Sequence, residues 1–434
     1  MKRGFFTIMS AQFFSSLADN ALFVAAVELL RTGGAPEWQR AALVPMFALF
    51  YVVLAPFVGA FADALPKGRV MFFSNAIKIV GCLMMLFGSH PLVAYAVVGL
   101  GAAAYSPAKY GILTELLPAS QLVKANGWIE GLTIASIILG VLLGGQLVGY
   151  RLSGLLLSID LPLIDLGIDS PADAAIAALI FVYALAAWFN LRIPHTGVEM
   201  RPLRQDPTRS ITLNTLALLP DFWTCNNRLW RDRLGQISLA TTTLFWGAGG
   251  NLKFIVLAWA AVALGYNTTN AAALTGVVAI GTAAGAVLAS MRMRLDNATH
   301  VIPLGIAMGL LLILMVFINS IWLAVPFLIL LGGLGGFLVV PMNALLQHRG
   351  HNLMGAGRSI AVQNFNEQAA ILGLGALYSL SLKFGLSVFG AITVFGVVVA
   401  GAMWLIGYWH RHNCRHHRAE VTHLLRIARR DPHL

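Results

Sequence analysis

Asp19 and Lys253 each carry a full charge inside a long apolar run of the chain. Asp19 lies about 14 residues into its run, about 21 Å at the helical rise of about 1.5 Å per residue, so its carboxylate must face protein or water, not a membrane surface. Asn20 adds an amide beside it, and Lys253 sits in the run Phe245, Trp246, Gly247, Ala248, Gly249, Gly250, Asn251, Leu252, Lys253. The chemistry open to such residues is ion recognition. A buried anion and a buried cation can line a cavity and hold the opposite charges of a solute, or pair with each other as a latch, and both can occur in one cycle. Lys109 belongs to the same group, because Pro107 and Gly111 flank it and broken helices at membrane depth usually line a cavity. Lys78, nine residues beyond Arg69, is expected to snorkel to an interface.

Bond-making chemistry finds no support. No histidine is followed five positions later by aspartate, and no lysine follows a glycine as a phosphate-binding GxxxxGK[ST] loop requires. His348 with His351, and the group His410, His412, His416 and His417, lack an accompanying acidic or thiolate set. Cys82, Cys225 and Cys414 form no CxxC pair. No catalytic residue, metal or cofactor is therefore expected, and the chain is read as no enzyme.

The elements that position these charges must be membrane helices. A chain of 434 residues that is 58% hydrophobic and 11% charged has too little polar surface for water-soluble domains of that length. Spans are predicted near 5–30, 41–62, 69–89, 91–114, 126–150, 172–192, 234–264, 270–290, 300–318, 321–346, 356–384 and 386–410. The fold class is thus an all-α polytopic membrane protein of about twelve helices. The first run holds Asp19 and Asn20 and is too long for a signal-peptide core, so it is read as a span.

Lysine and arginine collect in alternate loops, at Lys67 and Arg69, Lys124, Arg201, Arg204 and Arg209, Arg292 and Arg294, and Arg349. These loops are expected in the cytoplasm, with both termini, while the segment holding Asp160, Asp165 and Asp169 faces the other side. Topology thereby accounts for the net charge of +11, and no nucleic-acid partner is expected. The basic tail with Arg411, Arg415, Arg418, Arg426, Arg429 and Arg430 has two readings, a grip on anionic lipid or a solvated terminus. Four parts follow: a six-helix bundle at 1–192, a cytoplasmic central loop at 193–233, a second six-helix bundle at 234–410 and a basic cytoplasmic tail at 411–434.

An internal repeat ties the bundles together. Phe14, Asn20 and Phe23 recur 231 positions later as Phe245, Asn251 and Phe254. Pro107 has a counterpart in Pro341, and Glu130 in the fifth span one in Glu367 in the eleventh. Parallel six-helix repeats, with a substrate held between halves near the midplane, are the architecture of major facilitator transporters.

Gly59, Ala60, Phe61, Ala62 and Asp63, followed by Lys67, Gly68 and Arg69, resemble the signature loop of that superfamily, with a gap two residues longer. The resemblance implies a gate role for Asp63 with Arg69. The stretches AAYSPAKYGIL (103–113), LVKANGWIE (122–130), PMNALLQ (341–347) and GAGRSIAVQN (355–364) are similar to the lysophospholipid transporter family within it. That family implies movement of lysophosphatidylethanolamine and related lysolipids from the outer to the inner leaflet of the cell inner membrane. There an acyltransferase/acyl-carrier-protein synthetase restores the missing chain. Asp19 would meet the headgroup ammonium and Lys253 the phosphate, with Asn20, Lys109, Glu130 and Glu367 around them. The acyl chain would lie against Phe13, Phe14, Phe23, Phe245 or Trp246. Two rival readings are proton-coupled efflux of small amphiphiles, with Asp19 and Glu28 as proton carriers, and a lipid sensor that binds without moving lipid.

Overall fold

The computed structural model describes residues 3–116, 119–157, 170–194, 216–354 and 356–430, with the side chains of Asp63, of residues 113–131 and of a few other positions excepted. Asp160, Asp165, Asp169, Arg201, Arg204 and Arg209 lie outside the described residues, as do the side chains of Lys124 and Glu130. Among the described residues there are helices and no strands. They are α1 (Arg3–Thr32), α2 (Glu37–Val53), α3 (Ala55–Ala64), α4 (Lys67–Leu86), α5 (Pro91–Leu116), α6 (Ala119–Leu147), α7 (Tyr150–Leu157) and α8 (Pro171–Leu191). Then come α9 (Leu218–Arg231), α10 (Gly235–Ala263), α11 (Thr268–Arg292), the 3-10 helix η1 (Leu295–Val301), α12 (Ile302–Met315), α13 (Ile321–Met354), α14 (Ala356–Lys383), α15 (Val388–His416) and α16 (Arg418–Arg430).

Among the described residues nine helices are long and apolar enough to cross a membrane: α1, α4, α5, α8, α10, α11, η1 with α12, α13 and α15. The three other predicted spans coincide with α2 and α3, with α6 and with α14. The span expected at 41–62 is not one helix. It breaks at Leu54 (φ −101°, ψ 2°), between α2 and α3. Pro56 explains the break, since it has no N–H to give the preceding turn and its ring collides with the carbonyl four residues back.

The helices form two compact units. The first holds Met1–Leu218 together with Tyr266–Gly276, and the second Leu219–Gly265 with Val277–Leu434. In the first unit α1 packs against α6 and α8, and α4 against α5 and α8. Gly140 and Gly144, one turn apart on α6, let α1 approach. A Cβ at Gly144 would lie 2.6 Å from the Ala21 carbonyl oxygen, and one at Gly140 would lie 2.6 Å from that of Leu17. In the second unit α10 packs against α13, α14 and α15, and α12 against α15.

The repeat is visible in local geometry. Asn20 donates to the Ser16 carbonyl oxygen and Asn251 to that of Gly247, each at 2.8 Å and each one turn back. The turns after α1 and α10 use Gly34 (φ 71°) and Gly265 (φ 65°), again 231 positions apart. That left-handed backbone carries a steric cost for any residue with a Cβ.

Candidate functional site

Polar side chains of α1 face three neighbours, α4, α8 and α6. Toward α4, Lys78 Nζ donates to Asp19 Oδ2 at 2.7 Å and to Ser15 Oγ at 2.9 Å, and Ser15 Oγ donates to Asn75 Oδ1 at 2.7 Å. Tyr183 of α8 donates its hydroxyl to Asp19 Oδ1 at 2.7 Å. The Lys78 ammonium also lies 5.1 Å from the Tyr105 ring centroid and 5.6 Å from that of Tyr183. Toward α6, Gln12 Nε2 donates to Thr133 Oγ1 at 3.1 Å, and Ser136 donates to Ser16 Oγ at 2.8 Å. Lys109 of α5, partly buried, reaches the same Thr133 hydroxyl at 3.3 Å. The residues at 12, 15, 16, 19 and 20 share a helical stripe, so one face of α1 carries this whole network.

The snorkelling expected of Lys78 is corrected. Its side chain is 1% exposed and is ion-paired to Asp19, whose side chain is 20% exposed. An ammonium that deep needs a counter-ion, and Asp19 is within reach one helix away, so pairing prevails over extension to a surface. The ion pair is therefore asymmetric: its cation is sealed in protein and its anion shows.

Glu28, one turn from the end of α1, is also ion-paired. Arg31 holds it with two bonds, at 2.6 and 2.8 Å, and the Thr268 hydroxyl donates to it. Thr268 belongs to the first unit with the rest of Tyr266–Gly276, and its neighbour Thr269 donates to the Gly145 carbonyl oxygen at 2.8 Å.

The other residues singled out in the sequence fall as follows. Arg69 is exposed in the first turn of α4, whereas Lys67 turns back and donates to the Ala62 carbonyl oxygen at 2.7 Å, closing the C-terminal end of α3. Asp63 and Glu130 belong to α3 and α6, and their side chains are outside the described residues. In the second unit Phe245 is buried and meets Trp246 edge to face, with centroids 5.3 Å apart. The buried Trp246 indole nitrogen has no hydrogen-bond acceptor among the described residues. Lys253 is partly buried on the same helix. Glu367 is buried on α14 and accepts from Gln363 at 2.8 Å, which also donates to Asn343 at 3.0 Å.

Sequence reasoning missed one buried charge pair entirely. Arg349, expected as a loop charge, donates through Nε and Nη2 to the two Asp232 oxygens at 3.0 and 2.6 Å, with side-chain exposures of 7% and 9%. Asp232 Oδ1 also accepts the Gly235 N–H, the first of α10, at 2.7 Å. An aspartate just before a helix is legible as an acceptor for its first N–H groups, but the charge partner of Asp232 lies 117 positions away.

Residues 8–373 match the family model described as Major Facilitator Superfamily. Over 395 residues the chain is 40% identical to the "Lysophospholipid transporter LplT" of Yersinia enterocolitica serotype O:8 / biotype 1B, covering 89% of each chain. A Yersinia pestis (strain Pestoides F) protein of the same name is 40% identical over 391 residues, covering 89% of this chain and 88% of that one. Among solved structures, the nucleoside transporter NupG superposes with a TM-score of 0.66 at 13% identity, covering 95% of this chain and 99% of that one. A bacterial homolog to the human lysosomal transporter Spinster, inward-facing and unoccupied, gives 0.60 at 16%, covering 98% and 94%. At those identities the two structures speak for the fold alone. With its helical units, its repeated first and seventh spans and these relatives, the chain belongs to the major facilitator superfamily and, within it, to the lysophospholipid transporter family.

Proposed function

We propose that the protein transports lysophospholipids, lysophosphatidylethanolamine among them, from the outer to the inner leaflet of the cell inner membrane. The observation that carries the site is the lopsided Asp19–Lys78 pair, whose negative end alone is accessible. A carboxylate fixed by Lys78 and Tyr183 needs no rearrangement to receive a headgroup ammonium. Asn20 lies next to it, and Lys109 and Lys253, both partly buried, supply positive charge for the phosphate. Trp246, whose N–H has no acceptor among the described residues, and Phe245 suit the glycerol oxygens and the start of the acyl chain. We extend the proposed substrate contacts to Glu130 and Glu367 and assign the gate role to Asp63 with Arg69.

The same reading keeps bundles at 1–192 and 234–410, a cytoplasmic loop at 193–233 and a cytoplasmic tail at 411–434, with both termini inside. Delivery to the inner leaflet lets an acyltransferase/acyl-carrier-protein synthetase restore the missing chain and so maintain the gradient that drives transport. Glu28 and Asp19 each have a cationic partner, which disfavours both as lone proton carriers for amphiphile efflux.

The test is uptake of labelled lysophosphatidylethanolamine into the inner leaflet of spheroplasts from a host without its own lysolipid transporter. Uptake should depend on this chain, survive collapse of the proton gradient, and fall at least tenfold in Asp19→Asn and Lys253→Met, about 1.4 kcal/mol of lost transition-state binding. No uptake would overturn the substrate assignment in favour of efflux. Normal uptake by both variants would overturn the site while leaving the substrate.

A further inference from the structure

Beyond the transport site, α15 and α16 carry positive charge that lysolipid recognition does not use. Trp404, Tyr408, Arg411 and Arg415 are spaced by four, three and four residues, so they form one stripe along α15, and all four are exposed. Trp404 and Tyr408 stack with centroids 6.1 Å apart and are 52% and 56% exposed. Large aromatic residues on the outer face of a spanning helix mark the membrane interface, at headgroup level. Arg415 lies about 10 Å further along the axis than Tyr408, at about 1.5 Å per residue, so both arginines fall in the layer of lipid phosphates.

The chain then turns at His417 (φ −126°, ψ 38°) into α16. This helix rests on η1 and on the end of α15, with Val421 and Leu424 buried. Val421 and Leu424 thus face the protein, whereas Arg418 and Arg426 are exposed. The acid among these residues is Glu420, and it already faces Arg233 at 3.6 Å and His417 at 3.9 Å. The outward charge is therefore positive.

We infer that Arg411 and Arg415, supported by Arg418 and Arg426, form a binding site for the phosphate of anionic phospholipid in the surrounding membrane. An acidic soluble protein would also match the charge. The shared stripe with Trp404 and Tyr408 favours lipid, because it sets Arg411 and Arg415 beside the bilayer and not out in the aqueous phase.

Titration of the purified full-length protein in detergent with phosphatidylglycerol and with phosphatidylcholine, counting bound lipid by native mass spectrometry, tests this. The intact chain should prefer phosphatidylglycerol. Each exposed arginine contributes about fivefold near an anionic surface, so Arg411→Gln/Arg415→Gln should weaken binding of that lipid about twenty-fivefold and leave phosphatidylcholine unchanged. Arg411→Lys/Arg415→Lys should retain the preference, and added salt should erode it. Equal phosphatidylglycerol binding by the intact chain and the glutamine variant overturns the inference. So does binding of a polyglutamate peptide without any preference between the two lipids, which would assign the surface to an acidic protein.

Discussion

The helices α1 and α10 are copies in what builds the fold and strangers in what carries charge. Both contain the asparagine that bonds one turn back, and both end in a turn on a left-handed glycine. At the position of Asp19, however, α10 has Gly250, against Ile371, and its own charge, Lys253, stands three residues later. The first unit's buried ion pair, Asp19–Lys78, lies in mid-helix and shows one pole. The second unit's, Asp232–Arg349, sits at a helix entrance with both members sealed and a backbone N–H taken up as well. A duplicated bundle must keep its packing in both copies, whereas the charges it carries are free to differ. The open pair fits recognition and the closed pair fits architecture.

If that distinction holds, the closed pair should be the costlier to break. Arg349→Ala leaves Asp232 charged, buried and without its cation, at an expected cost of about 3–5 kcal/mol. It should appear as a large fall in the unfolding midpoint of the detergent-purified protein, and Asp232→Asn/Arg349→Met should recover most of it. Lys78→Met should cost less, about 2 kcal/mol, because Asp19 keeps the Tyr183 hydroxyl and some access to water. A greater loss of stability in Lys78→Met than in Arg349→Ala would erase the contrast and make Asp19–Lys78 a structural clamp. The smallest effects test the sameness of the two copies. Gly34→Ala and Gly265→Ala should each cost about 1 kcal/mol, the strain of a Cβ at positive φ. Unequal costs, with one variant neutral, would show that only one of the turns is needed.

Much of the fold was legible because apolar length and periodicity are local properties. Twelve segments of the right length coincide with helices or helix pairs, and the 231-residue repeat identifies the first and seventh spans from three residues in each. The break at Leu54 was legible too, in Pro56, but a run of apolar residues masked it. Asp19 and Lys109 could be named because a charge at membrane depth is conspicuous in any sequence.

What no reading of the chain could supply is which charge meets which. Lys78 is 59 residues from Asp19, and Arg349 is 117 from Asp232. Composition makes both cations resemble topology signals near a membrane edge. The sequence by itself determined that charges would be buried, through the length of the apolar runs around them. Only the tertiary structure decided that Lys78 turns inward to Asp19, because the low dielectric between packed helices makes a nearby counter-ion worth more than a distant surface.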